Sequence, residues 1–275
     1  MSLTPGTIEQ LARGVWRLIA PNPGMMTGPG TNTYLVGDKA IAVIDPGPHI
    51  GSHIDAIQSL ATAAIGWILV THTHPDHSPA ARQLAKETGA QLLGQPAPGG
   101  RHQDQTFKPD RILGDGDSLR TDEFELTAVH TPGHASNHLC YLHGEHRFLF
   151  TGDHVINGST VVIDPPDGNM RHYIDSLRRL KSVDIASIAP GHGDLLAEPY
   201  KVIDWIIAHR LERECKVVEA LREHGGQTSM ALVPHVYADV DPNRYAWAER
   251  SLLAHLQKLA EEGKASAVDG RWQLL

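Results

Sequence analysis

The sequence predicts an α/β protein in which two sheets pack face to face with helices outside, followed by a small, mainly helical domain. Three observations predict it. Short β-rich runs separated by Gly/Pro turns fill residues 15–71 and recur over 124–150, and each half is closed by helical spacing. Several of these runs stop at a sharp turn that holds His or Asp. After Pro199 the texture changes to long helical patterns. The expected division is a larger domain over 1–200 and a tail over 201–275.

The elements follow in order. Val15-Trp16-Arg17-Leu18-Ile19, Thr33-Tyr34-Leu35-Val36 and Ala40-Ile41-Ala42-Val43-Ile44 are β-rich and read as successive strands. Pro21 to Thr31, between the first two, holds too much glycine and proline for regular structure. Asp45-Pro46-Gly47 stops the third strand, and Ser52 is an N-cap for a helix to about residue 64. A strand over 66–71, a His-rich turn and a helix from about Ser78 to Thr88 come next. In the second half, residues 124–130, 138–143 and 147–150 are strands, with a hairpin turn at Gly144-Glu145. Residues 169–180 have helical spacing, and Ile185 to Ala189 is a buried strand ending at Pro190. In the tail, Val202, Ile203, Ile206, Ile207 and Leu211 put an apolar face on a long helix reaching Arg222. Helices over about 228–237 and 243–262 and a hairpin across Asp269-Gly270 give the order of a winged helix.

Composition narrows the function classes. The chain has 275 residues, 41% hydrophobic and 20% charged, with a formal net charge of -8, so no global basic field draws in nucleic acid or an anionic membrane. No apolar run approaches the ~20 residues that span a bilayer. Met1 to Leu11 lacks the basic flank and apolar core of a signal peptide. Cys140 and Cys215 are isolated, which argues against a disulfide framework and for a cytoplasmic location.

The chemistry is concentrated in Thr71-His72-Thr73-His74-Pro75-Asp76-His77. Pro75 ends the preceding strand, so His72, His74, Asp76 and His77 stand in the turn, where side chains are not committed to a core. Such a density of nitrogen and oxygen donors suits a borderline-soft cation such as zinc. Three further segments repeat the device: Thr131-Pro132-Gly133-His134, Thr151-Gly152-Asp153 and Pro190-Gly191-His192-Gly193. The glycines permit tight backbone close to a crowded centre. Pro132 and Gly133 also exclude a helical pair of His130 and His134. By contrast His49, His53, His102, His143, His146, His209, His224, His235 and His255 read as surface or capping residues. His138, His154 and His172 fall near the site segments, where they can reach a substrate.

The pattern His-x-His-x-Asp-His at 72–77, followed by His134, Asp153 and His192, resembles the metal motifs of the metallo-β-lactamase-fold hydrolases. The resemblance implies an αββα four-layer sandwich with its site at one edge. It also implies two Zn2+ ions, with iron and manganese fitting the same donors. By that resemblance His72, His74 and His134 hold one ion, Asp76, His77 and His192 hold the other, and Asp153 bridges. Asp45 matches the supporting aspartate behind the ligands. Two close cations need a shared anion, and water bound to them titrates near neutral pH and becomes the nucleophile, with Asp76 orienting it.

Gly30-Thr31-Asn32-Thr33-Tyr34-Leu35-Val36-Gly37, the helix carrying His209-Arg210-Leu211-Glu212-Arg213-Glu214 and the winged-helix-like tail together resemble the β-lactamase-like protein 2 family. That resemblance implies hydrolysis of an ester-type bond and, for some members, cleavage of single-stranded RNA. The tail tempers the RNA reading. Arg244, Arg250, Lys258, Lys264 and Arg271 are offset by Asp239, Asp241, Glu249, Glu261, Glu262 and Asp269, which suits a domain that packs or forms a homodimer. The alternative substrate is a small thioester, ester or lactone, with Met25, Met26, Asn32 and Tyr34 as a pocket wall. A non-enzymatic metal-binding protein would lack a ligand, and none is missing.

Overall fold

The computed structural model describes residues 3–100 and 102–275. Its strands are β1 (Ile8–Ala12), β2 (Val15–Ile19), β3 (Asn32–Val36), β4 (Ile41–Ile44), β5 (Ile65–Leu69), β6 (Gln91–Gly94), β7 (Arg111–Ile112), β8 (Ser118–Arg120), β9 (Glu125–His130), β10 (Leu139–His143), β11 (Phe148–Gly152), β12 (Ser187–Pro190), β13 (Gln227–Thr228), β14 (Ala265–Val268) and β15 (Arg271–Leu274). The helices are α1 (Gly51–Leu60), α2 (Ala81–Thr88), α3 (Met170–Leu180), α4 (Pro199–His224), α5 (Ser229–Val236) and α6 (Tyr245–Glu261). Contacts group them into two compact units. One comprises the chain up to Thr131 together with Asn137–Thr160 and Val183–Pro199. The other comprises Pro132–Ser136, Val161–Ser182 and Tyr200–Leu275.

The first unit contains both large sheets. One has seven strands in the order β1-β2-β3-β4-β5-β6-β7, and the other five in the order β12-β11-β10-β9-β8. Alternation along the strands decides what each face covers. Tyr34, Val36, Ala42 and Ile44 point to a core shared with Leu126, Ala128, Leu139, Tyr141 and Phe150 of the second sheet. Leu35, Ile41 and Val43 point the other way, onto Ile54 and Ile57 of α1 and Ala81 and Leu84 of α2. The unit therefore stacks helices, first sheet and second sheet in succession. Sequence pattern missed β1, β6, β7 and β8. β1 alternates weakly and is largely exposed, and β6 to β8 are only four, two and three residues long, too short to show a period.

Strand direction positions the site. β4 pairs parallel with β5, and β11 pairs parallel with β12. Each parallel pair puts two carboxyl ends at the same edge, where open α/β sheets present their functional loops. Asp45 follows β4, the 70–77 turn follows β5, Asp153 follows β11 and His192 follows β12.

The second unit has its own core. Val217 and Leu221 of α4 pack with Leu232, Val233 and Val236 of α5 and Leu252, Leu256 and Leu259 of α6. The small sheet β13-β15-β14 closes it as the wing. Glu214 of α4 is buried against Lys258 of α6 at 2.7 Å, a pairing that offsets the cost of desolvating both charges. Among the described residues no helix is long and apolar enough to cross a membrane.

Candidate metal centre

Asp45 organises the His-rich turn after β5. Its backbone has a positive φ of 49°, a conformation that aspartate tolerates better than most residues. The buried carboxylate accepts from the Thr71 N–H at 2.7 Å through Oδ1. Oδ2 accepts from the Thr71 hydroxyl at 2.7 Å and from His77 Nδ1 at 2.9 Å. Because the Thr71 proton goes to Asp45, the Thr71 oxygen accepts from His72 Nδ1, 3.0 Å away. One carboxylate thus fixes the tautomers of two imidazoles and leaves the lone pair of each on Nε2.

His192 is fixed in the same sense. Its Nδ1 faces the carbonyl of Gly30 at 3.4 Å, and a carbonyl only accepts. The Nε2 atoms of His77 and His192 then converge on two carboxylates. His77 Nε2 lies 3.4 Å from Asp76 Oδ2 and 3.3 Å from Asp153 Oδ1; His192 Nε2 lies 3.1 and 3.2 Å from the same two oxygens. His77 Nε2 is buried and makes no hydrogen bond. Without an ion between them, lone pairs facing carboxylates repel unless the imidazoles take a second proton. That is the direction of the pKa shifts. Burial pushes His192 down, but the charges and hydrogen bonds of Asp153 and Asp76 outweigh it and raise it to about 10. His77 is likewise held well above its usual value by Asp76, Asp153 and Asp45 against the effect of burial. Asp76 and Asp153 are held well below the carboxylate range although burial opposes it, because these imidazoles face them.

A second set of donors adjoins the first. One ligand atom from each of His72, His74 and Asp153 lies within 4.8 Å of the others. His72 Nε2 and His74 Nδ1 are 3.0 Å apart, close to the roughly 3.3 Å separating two nitrogens on one tetrahedral zinc. Burial and the neighbouring imidazoles His77, His74 and His138 push His72 well below its normal pKa, which keeps it a neutral donor. Asp153 stands between the two sets. The expected ligand His134 belongs to the other unit, where its Nδ1 donates to the Val162 carbonyl at 2.8 Å, which makes Nε2 the ligand atom it offers.

Two glycines make room for this density. A Cβ on Gly191 would lie 2.8 Å from His77 Cε1 and 2.9 Å from Asp153 Oδ1, and one on Gly152 would lie 2.4 Å from Thr71 Oγ1. The donor set therefore fits metal: nitrogen and carboxylate ligands, fixed tautomers, and an orphaned buried nitrogen aimed at two anions.

Comparison with known proteins now bears on these residues. Residues 26–192 match the family model of the metallo-beta-lactamase superfamily, and 228–272 match that of the beta-lactamase associated winged helix domain. The chain belongs to the metallo-β-lactamase superfamily. It is 31% identical over 266 residues to the beta-lactamase-like protein 2 homolog of Caenorhabditis elegans, covering 93% of this chain and 87% of that one. It is 28% identical over 278 residues to an atrochrysone carboxyl ACP thioesterase of a Cryptosporiopsis species, covering 94% and 83%. A beta-lactamase domain protein from Burkholderia ambifaria shares the fold, with a TM-score of 0.85 at 21% identity over 100% of this chain and 95% of that one. The expected fold class, an αββα sandwich with a winged-helix tail, and the resemblance to the β-lactamase-like protein 2 family both hold. This metallo-β-lactamase superfamily hydrolase carries a His/Asp cluster able to bind metal ions.

Several expectations about the superfamily member's other polar residues need correction. Asn32 and Tyr34 were expected at the substrate, but both are buried and their polar groups are committed to the chain. Asn32 Nδ2 donates to the carbonyls of Pro190 and Gly193, and the Tyr34 hydroxyl donates to Pro190 at 2.7 Å. They brace the loop that carries His192. His138 is fully buried, stacked on His72 with ring centroids 4.9 Å apart, so it braces that imidazole and has no surface for substrate. His172 is exposed near the start of α3 in the second unit. His53, His143 and His255, expected as surface or capping residues, are buried, and His143 Nδ1 accepts from the His146 N–H. His53, pushed down to about 4 by burial, is neutral and donates to Thr33 Oγ1, whose own proton goes to the Asp45 carbonyl. The sequence reading gave no role to Thr71 or Thr31. Thr31 donates to Asp76 Oδ2 at 3.2 Å, and its only signal was proximity to the glycine-rich loop.

Proposed function

We propose that this chain is a dinuclear metal-dependent hydrolase of acyl thioesters and related esters, working in the cytoplasm with two Zn2+ ions per chain. One observation carries the reading: His77 and His192, their Nδ1 atoms tied to acceptors, aim Nε2 lone pairs at the same two carboxylate oxygens from 3.1 to 3.4 Å. Cations resolve that repulsion. His72, His74 and His134 would hold one ion, and Asp76, His77 and His192 the other, with Asp153 shared. Iron or manganese would suit the same donors. A bound pair of divalent ions supplies Lewis acidity and makes water acidic enough to act near neutral pH.

The chain's own residues do the rest. Asp45 and Thr71 hold His72 and His77 in the donor tautomer. Thr31 fixes Asp76 Oδ2, so Asp76 accepts a hydrogen bond from the attacking water and takes its proton. Water adds to the carbonyl carbon, the C–S bond breaks, and the thiol leaves as thiolate. The thioesterase named among the relatives supports the same substrate class. The net charge of -8 weighs against single-stranded RNA. Met25 and Met26 are exposed and would offer apolar contact to a substrate's acyl chain.

The test is hydrolysis by zinc-reconstituted protein of an acyl N-acetylcysteamine thioester, followed by thiol release, beside cleavage of a labelled single-stranded RNA. Thiol release that stops with chelator and in His72→Ala is the expected result. Metal-dependent RNA cleavage with no thiol release would overturn the thioester assignment, and inertness of fully metallated protein on both would overturn both.

A further inference from the structure

The turn carrying His134 is fastened by residues far along the chain. His134 Nδ1 donates to the Val162 carbonyl, and residues 161–164 form no helix or strand, so no ladder sets their position. Arg210 of α4, itself buried, donates through Nη2 to the carbonyl of Val161, the neighbouring peptide, and lies 5.6 Å from the Tyr173 ring centroid. Arg250 of α6 grips the other end, donating to Asp164 Oδ2 at 3.1 Å while covering the Trp247 ring. Two arginines from the C-terminal helices thus hold a four-residue strap by both ends. The strap's second carbonyl sets the tautomer and direction of His134. Desolvating a guanidinium is costly, and an apolar side chain of similar volume would fill the same space more cheaply, so the hydrogen bond to Val161 is what Arg210 adds.

We propose that Arg210 is a positioning residue for His134, through which the C-terminal region sets occupancy of the first metal position. This rests on the reading that His134 is a metal ligand. Groups that orient ligand imidazoles change metal affinity by about 10- to 100-fold when removed.

The experiment titrates metal-free full-length wild type, Arg210→Met, Arg210→Lys and His134→Ala with zinc, and records the visible spectrum of each with cobalt(II). Arg210→Met is expected to lose one ion's affinity by about 10- to 100-fold and to show the cobalt spectrum of His134→Ala. Arg210→Lys, which can still donate to the Val161 carbonyl, recovers part of both. A lower melting temperature in Arg210→Met with unchanged affinity and cobalt spectrum would overturn the proposal. If Arg210→Met does not fold, Arg250→Met, at the strap's more exposed end, takes its place: a smaller loss with the same spectral change supports the strap, and no change overturns it. Were His134→Ala itself to keep both ions with an unaltered spectrum, the ligand assignment would be the failure, and the proposal would fall with it.

Discussion

The two histidine turns after β5 and β9 use the same device and are supported in opposite ways. Each begins with a threonine and ends a strand, and each presents imidazoles from a short non-repetitive segment. The 71–77 turn is tied to a buried carboxylate: Asp45 takes three hydrogen bonds from Thr71 and His77. The 131–134 turn has a neutral anchor, the Val162 carbonyl, and is pinned by the Ser176 hydroxyl on Pro132 and the Asn169 N–H on Gly133. A carboxylate anchor raises the basicity of the imidazole it holds, while a carbonyl fixes mainly its direction. The first turn is therefore tuned electrostatically, and the second is set by how the second unit folds.

That contrast can be broken in graded ways. Removing the carboxylate that faces His77 and His192 has the largest effect. Asp153→Ala is expected to abolish turnover and to lose at least one bound ion, read by metal analysis and rate; unchanged values of both would end the dinuclear model. Truncation after His224 comes next, because it strips α5 and α6 from Val217 and Leu221 and leaves Glu214 without Lys258. Loss of the cooperative transition in circular dichroism, or of the native mass state, is expected. A folded fragment that lost only RNA affinity would instead make the tail a nucleic-acid module.

Asp45→Asn tests the carboxylate anchor alone. It is expected to weaken metal binding by about 10- to 100-fold, with the ion on His77 affected more than the ion on His74, since only the former is anchored directly. Equal weakening at both positions would deny the anchor its selectivity.

A subtler test uses pH on the metal-free protein. An unfolded histidine titrates near about 6.5, whereas folded His192 is raised to about 10. Its proton therefore contributes stability that is complete below about pH 6.5 and is lost as pH rises to about 10. Urea midpoints of metal-free protein are expected to fall between pH 7 and 9, and zinc, which displaces the proton, is expected to flatten the dependence. The smallest change is expected from Arg178→Ala, which breaks an exposed pair with Asp175 on α3. Its effect should stay below about 1 kcal/mol in denaturant titration.

What the sequence determined by itself is the order of chemistry and the direction of the chain. The strand runs before Asp45, His72 and Asp153 carry their own stop signals, and Pro75, Pro132 and the adjacent glycines force each potential ligand into a turn. Those are local steric facts, legible without any partner. The apolar faces of α4 and the Asp-Gly hairpin likewise announced the tail. What only the tertiary structure decided is what each polar side chain faces. Tyr34 looked like a pocket residue until its hydroxyl met the Pro190 carbonyl, 156 residues away. His138 and His53 looked accessible until neighbouring layers covered them. Arg210 stood in the sequence only as part of the 209–214 motif, and its hydrogen bond could not be read there, because the partner is a carbonyl 49 residues earlier on a segment without regular structure. Periodicity records which side of an element turns inward. A hydrogen bond depends on the atom that arrives opposite, and that is set only when the layers close.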